Sequence, residues 1–274
     1  MSDIMQKAHR ISHEDARRIV WGNPGKGFVS DWFYARNEKV CLNIFQIPAG
    51  EFAGHTDEER AIFGADEIFV ILEGEMLLVN PETGEALRAK AGDATFFRKD
   101  TWNNAFSIGD TPLRGLEFFH PSPDLGTGSA YARQHPPLDE YRYGRDDLIG
   151  NWPMKREQAA SEATMWIIRE EDYLWRMEAD ETLPVGIIAS TEHATIGTTL
   201  HRAGARSGII TRAGDTGIYL EKGILHVELT ETGEYLEIGP KDGCFIPAGT
   251  PHRFYNPGTT RVSALFAVAP DYLA

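Results

Sequence analysis

The chain has 274 residues, enough for two domains of ordinary size, each with its own core. Hydrophobic residues make up 42% and charged residues 25%, with a formal net charge of −14, so nucleic acid and anionic membrane surfaces are disfavoured as partners. Cys41 and Cys244 form no CxxC pattern, no apolar run approaches the roughly 20 residues of a membrane span, and the first 18 residues carry no secretory h-region; together these read as a cytoplasmic protein.

In chain order, Ser12-His13-Glu14-Asp15 predicts the start of a short helix. Ser12 can cap it, the acids suit its positive end, and Trp21-Gly22-Asn23-Pro24-Gly25 breaks it. Strands are then predicted over 28–34, 40–47, 67–72, 76–79, 94–97 and 113–119, separated by turn signals such as Pro48-Ala49-Gly50 and Ala91-Gly92-Asp93. Residues 121–162 are rich in Pro, Gly, Tyr and charge, and read as an irregular linker. Its Tyr131, Tyr141 and Tyr143 suit either a lid or subunit packing. Strands resume over 165–169, 185–189, 195–201, 218–220, 225–229, 243–246 and 262–268. Short strands with regular turns imply a sandwich or a barrel.

The two halves are copies of one another. Gly74 and Gly223 lie 149 positions apart, as do Glu67 and Thr216, Asp93 and Asp242, Asn103 and His252, and Gly109 and Gly258. Upstream, 48–55 matches 202–209 at an offset of 154, so the first half carries a five-residue insertion between His55 and Glu67.

Phe245 to Asn256, FIPAGTPHRFYN, is the most informative stretch. A β run enters a Pro-Ala-Gly-Thr-Pro turn and leaves with His252, Phe254 and Asn256 on one face. From Pro247 onward it resembles the second motif of the cupin superfamily, G-x5-P-x-G-x2-H-x3-N, with Lys241 where the leading glycine belongs. Glu67 and Gly74 match the E-x6-G end of the family's first motif. The resemblance covers about 40–120 and 163–270, and identifies a two-domain bicupin. It implies an all-β fold of tandem double-stranded β-helix (jelly-roll, cupin) barrels with a short N-terminal helix and an irregular linker. The division is 1–120 (arm and first barrel), 121–162 (linker) and 163–274 (second barrel). Family analogy also implies a homodimer.

In that family two histidines, a glutamate and a third histidine bind Mn, Fe, Ni or Zn. Here the first half offers Glu67 at the glutamate position, Asn103 at the last histidine position, and His55 and Asp57 as the nearest surrogate for the histidine pair. A divalent metal on His55, Asp57 and Glu67 is one expectation. The other is that His55 is a loop residue and Glu67 a buried carboxylate bonded to Asn103 or Arg98. In the second half Ile210, Arg212 and Thr216 replace three ligands and only His252 remains. One histidine holds a transition metal poorly. Arg212, Thr216, Tyr219, His226 and His252 instead suit an organic anion, against the plainer reading of Arg212 as a solvated turn residue; His201 and His226 sit on strands expected to be adjacent. Trp102 is expected at the mouth of the first barrel, where aromatic walls are common in ligand sites.

The first half looks most like ureidoglycine aminohydrolase-type bicupins, in which one barrel lacks the histidine pair. Their metal site lies in the second barrel, whose ligands are lost here. The expectation is a bicupin acting on a small polar or anionic metabolite by metal-assisted hydrolysis, isomerisation or oxygenation in the first barrel, with Glu67 as ligand or base. The alternatives are a metal-free sensor or storage protein, and metal-free chemistry with His252 or His55 as base.

Overall fold

The structure, a computed structural model, describes residues 6–24, 27–54, 60–123, 129–135 and 146–273. In the first half the strands are β1 (His9–Ile11), β2 (Arg17–Asn23), β3 (Gly27–Arg36), β4 (Cys41–Ile47), β5 (Phe52–Ala53) and β6 (Asp66–Glu73). They continue with β7 (Glu75–Val79), β8 (Ala86–Lys90), β9 (Ala94–Phe97), β10 (Asn104–Ser107) and β11 (Leu113–His120). The connecting region carries α1 (Ala130–Gln134) and α2 (Arg156–Ser161). The second half has β12 (Met165–Ile168), β13 (Leu174–Glu178), β14 (Leu183–Ser190), β15 (Thr195–His201) and β16 (Asp215–Leu220). It ends with β17 (Leu225–Leu229), β18 (Glu234–Ile238), β19 (Asp242–Ile246), β20 (His252–Tyr255) and β21 (Val262–Ala269).

The strands form two antiparallel sandwiches. The first sets the sheet β12-β9-β6-β11-β4-β3-β2 against β5-β10-β7-β8; the second sets β1-β19-β16-β21-β15-β14-β13 against β18-β17-β20. The fold is the tandem jelly roll that the duplication implies. β4 and β15 superpose residue for residue at the 154 offset, and β11 and β21 at the 149 offset. The turn anchors repeat as well. Asp93 accepts from the Lys90 amide and Asp242 from the Gly239 amide, at 3.1 and 2.8 Å. Asp66 accepts from the Lys99 amide and Asp215 from the Ala248 amide, at 3.2 and 2.9 Å.

Each half lends its leading strand to the other. β1 pairs with β19 of the second barrel, and β12 pairs with β9 of the first. The expected N-terminal helix is replaced by strands. Ser12 makes the capping contacts, receiving the Asp15 amide on its hydroxyl and the Asp15 and Ala16 amides on its carbonyl. The chain then leaves after one turn, because Ile19, Val20 and Trp21 favour extended backbone and pair along β3.

The two seven-stranded sheets pack back to back. Leu42, Ile44, Ile68, Leu116 and Phe118 of the first meet Ile196, Tyr219, Phe245 and Ala267 of the second in one buried cluster. Full burial of each large apolar side chain is worth roughly 1.5–3 kcal/mol, so this seam contributes substantially to holding the barrels together. At its edge Arg114 clamps Glu221 bidentately at 3.0 and 2.6 Å and donates to the Tyr219 hydroxyl at 2.8 Å.

Candidate functional site in the first barrel

Alternation on the strands decides what each barrel encloses. In the first barrel the inward positions are Asp31 and Phe33 on β3, Asn43, Phe45 and Ile47 on β4, Glu67, Phe69 and Ile71 on β6, and Gly115 and Glu117 on β11. The cross-strand register aligns them: Glu117 lies opposite both Asn43 and Phe69, and Phe119 lies opposite Glu67. One end is apolar, packed by Ile47, Ile71, Met76, Leu78 and Leu113. Gly115 belongs to this packing, since a Cβ there would meet the Phe45 ring at 2.5 Å. The other end is acidic.

Three carboxyls share that end, and each is held by a neutral N–H donor. Asn103 bonds Glu67, the Asn43 amide donates to Glu117 at 2.7 Å, and the Trp21 indole donates to Asp31. Among the described residues no lysine, arginine or histidine pairs with any of them. Burial, with repulsion from Glu117, holds the Glu67 carboxyl well above the usual range. Burial pushes Asp31 up to about 7, and burial with the nearby Asp31 pushes Glu117 up to about 8; their hydrogen bonds oppose this only partly. Buried carboxylates without a counter-charge are costly, so these groups hold protons or await a cation.

Two other polar atoms at this end are orphans. Asn43 is 1% exposed, and its Oδ1 has no partner among the described residues; the Thr95 hydroxyl, fully buried opposite Phe69, has none either.

The second barrel is filled. Val185, Ile210, Ile218, Leu220, Ile246 and Phe266 pack its interior. Arg212, Thr216 and His252 do line one cavity there, as the sequence suggested, but it measures about 20 Å³. That admits one water and no organic anion. Arg212 is already engaged, bonding Glu178 at 2.5 Å with its guanidinium 4.0 Å above the Tyr272 ring. His252 donates through Nδ1 to the Thr250 carbonyl at 2.9 Å, and burial lowers its pKa to about 4, so the ring is neutral. The Thr216 hydroxyl has no partner among the described residues.

Two members of the expected anion set lie elsewhere. Tyr219 faces the seam between the barrels and bonds Glu221 at 2.8 Å. His226 points off the outer sheet towards Glu237 at 3.0 Å, with Tyr235 and Tyr255 around it. Its strand β17 pairs with β18 and β20, so it is not adjacent to the strand of His201. The reason is parity: Leu225 and Val227 take the inward positions of β17.

In the first half, Glu67 and Asn103 meet as the register predicts, in the arrangement where Asn103 bonds a buried carboxylate. Arg98 instead pairs with Glu192 and Asp66. Trp102 is 3% exposed and packs with Ile62 and Ala132 of α1, under the Arg60 guanidinium. Tyr131 on α1 donates to Asp100. His55, Asp57, Tyr141 and Tyr143 lie outside the described residues. The sequence reading missed Asp31, Asn43 and Glu117. Their signal was present: each is the one polar residue among the inward, alternate positions of its strand.

Among the described residues no three His, Cys, Asp or Glu side chains converge as ligands, and Glu67 and Asn103 are bonded to one another. The described donor set does not fit a resident metal.

Comparison with known proteins agrees with this architecture. Residues 36–109 match the family model of the EutQ-like cupin domain. That match lies in the first barrel, and the chain as a whole has the two-barrel fold of the bicupins. Oxalate decarboxylase OxdC of Bacillus subtilis, as a deletion mutant, matches with a TM-score of 0.66 and 12% identity over 98% of this chain and 78% of that one. AerE from Microcystis aeruginosa gives 0.62 and 10% over 93% and 97%. A putative glyoxylate-induced protein from Pseudomonas aeruginosa gives 0.63 and 14% over 92% and 84%. At these identities the likeness is one of fold. The B. subtilis decarboxylase is described as having Mn(II) centres. No curated protein matches the chain in sequence. No helix among the described residues is long and apolar enough to cross a membrane.

Proposed function

We propose that the first barrel is the working site and that it acts on a small polar metabolite held against Glu67 and Glu117. One observation carries this reading. The first barrel buries three carboxyls with no counter-cation among the described residues, while its duplicate fills the same space with hydrocarbon. A protein keeps such a cost where it is used. Burial brings Asp31 and Glu117 to titrate near neutrality, where a carboxyl both gives and takes a proton efficiently. Asn43 and Asn103 fix the two glutamates so that their remaining oxygens face the ligand. Phe45 and Phe69 wall the space and exclude water.

The test is a panel of small polar metabolites, read by thermal shift and by turnover in NMR. Compounds that stabilise or react with the wild type are expected to lose their effect in Glu67→Gln and keep it in Thr216→Val. The reverse pattern would move the site to the second barrel.

Metal assistance is the second reading, favoured by the shared fold with a decarboxylase that has Mn(II) centres. It needs His55 and Asp57 to join Glu67, because the described donors do not suffice. Stoichiometric Mn, Fe, Ni or Zn in protein purified without chelator, lost in Glu67→Gln, would support it together with hydrolytic, isomerising or oxygenating chemistry. A homodimer remains our working assembly, to be checked by light scattering.

A further inference from the structure

We propose that the ligand of the first barrel is a small organic cation, an alkylammonium or guanidinium, whose N–H groups are shared between Glu67, Glu117 and the Oδ1 of Asn43. The inference rests on the first-barrel site proposed above and names its ligand class.

Three observations carry it. The first is sign. Asp31, Glu67 and Glu117 gather at one end of a barrel where no described basic side chain pairs with them. An anion entering there would meet three carboxyls and no basic side chain among the described residues. The second is the orphan acceptor. Asn43 spends its N–H on Glu117 at 2.7 Å, and its Oδ1, in a side chain 1% exposed, has no partner among the described residues. Asn43 lies directly opposite Glu117 on the inward face, so this oxygen sits beside the carboxyls. A buried carbonyl without a donor is costly, and a ligand N–H removes that cost. An anion or an ether offers it nothing.

The third is spacing. Glu117 lies opposite Phe69, and Phe119 opposite Glu67, so the two glutamates are diagonal neighbours across β11 and β6. Diagonal positions stand roughly 7–8 Å apart at the backbone. Asp31 sits two strands and two residues from Glu117, roughly 12 Å away at the backbone. One metal ion, with oxygen ligands at roughly 2.0–2.6 Å, does not span this set from its present geometry. A group of several ångströms with N–H donors on more than one side does. The rings of Phe33, Phe45 and Phe69 share the inward face, and a desolvated organic cation gains on such faces what a hydrated metal ion does not.

The experiment uses probes of one size that differ in head group. n-Butylammonium, methylguanidinium, 1-butanol and butyrate are titrated into the full-length protein by calorimetry, with oxalate and glyoxylate as small anions. Wild type, Glu117→Gln, Glu67→Gln and Asn43→Leu are compared after circular dichroism confirms their fold. The cations are expected to bind, at least tenfold more tightly than butanol or butyrate. Glu117→Gln should weaken them at least tenfold and Asn43→Leu several-fold. Equal binding of butanol, or cation binding untouched in all three variants, would overturn the proposal. If butyrate, oxalate or glyoxylate binds instead and Glu67→Gln abolishes it, the cation assignment falls and the first-barrel site stands. If no probe binds, the cation assignment falls, and the metabolite panel above decides the site separately.

Discussion

Where the first barrel places Asp31, Asn43, Glu67, Asn103 and Glu117, the second places Val185, Gly197, Thr216, His252 and Phe266. The frame around the two sets is the same, down to the aspartates that anchor the turns. The filling differs by one coordinated change. Phe266 stands at the position of Glu117, and its ring lies over Gly197, where a Cβ would meet it at 2.8 Å. An aromatic ring over a glycine thus takes the volume that an acid and an amide occupy in the other copy. What remains around Thr216 and His252 holds one water. One copy is packed with hydrocarbon and serves as a packing partner, while the other holds polar groups at its centre. The large seam between the sheets is what makes such a partner useful.

The barrels part most sharply when the second is given an acid at its centre and the first loses its own. Thr216→Glu puts an unpaired acid into hydrocarbon, since Arg212 is held by Glu178 and Tyr272. Its expected cost is about 3 kcal/mol or more in urea unfolding. Glu67→Gln, which removes a buried acid and keeps its shape, is expected to be neutral or stabilising. Equal destabilisation by both would make Glu67 a structural group and remove the contrast between the barrels.

Arg212 tests the filled barrel from its other side. Glu178 bonds Arg212 and Tyr272, at 2.5 and 2.8 Å, and ion-pairs with Arg176 at 3.0 Å. Arg212→Ala is expected to cost about 2–3 kcal/mol, with no loss of ligand binding in the first barrel. Lost binding with intact stability would return Arg212 to the role of anion receptor.

The barrels also differ in how they respond to pH. In the second, burial lowers His201 and His252 to about 4, so their contribution to stability is lost as pH falls from the unfolded value near 6.5 through 4. His120, at the end of β11, behaves alike. In the first, Asp31 and Glu117 are raised, so the folded state holds protons that the unfolded state releases. Stability from them is present below the unfolded carboxyl value near 4 and is lost as pH rises through about 7 and about 8. Between pH 4 and 6.5 the two effects oppose. Between 6.5 and 8 the acids act alone, and a loss on the order of 2 kcal/mol is expected in unfolding titrations. Glu117→Gln should flatten that slope. A flat wild type would mean that a cation, not protons, neutralises the cluster.

The fold was legible in the sequence because duplication and turn chemistry are local and repeated: Gly74 and Gly223, or Asp93 and Asp242, announce themselves by register alone. The N-terminal segment was not, because Ser12 makes its cap contacts in a single turn as readily as in a helix, and only pairing with β3 decides the rest. The site was half legible. Glu67 and Asn103 were found by position, but Asp31, Asn43 and Glu117 meet only through the register of β3, β4 and β11. His226 and Tyr219 were misplaced for the same cause. A one-residue parity choice sends a side chain to the opposite face, and sequence spacing does not reveal which strands face each other.

The smallest expected effect concerns a pair of equivalent turn positions. Gly92 has φ +97°, and Lys241, which stands where the cupin motif has its leading glycine, has φ +65°. Both are exposed, and a Cβ at Gly92 would touch nothing within 4 Å, so the difference between them is backbone strain alone. The left-handed region costs an L-residue roughly 1–2 kcal/mol, part of which the loose unfolded backbone of glycine returns. Lys241→Gly is therefore expected to stabilise the protein by about 0.5–1 kcal/mol, and Gly92→Lys to destabilise it by a similar amount. The Lys241 carbonyl accepts from Tyr34 at 2.8 Å and its amide donates to Leu220 at 2.6 Å, and both bonds survive the change because they belong to the backbone. If Lys241→Gly instead destabilises, the lysine side chain itself holds something at the rim of the second barrel. The filled barrel would then have a contact that its twin lacks.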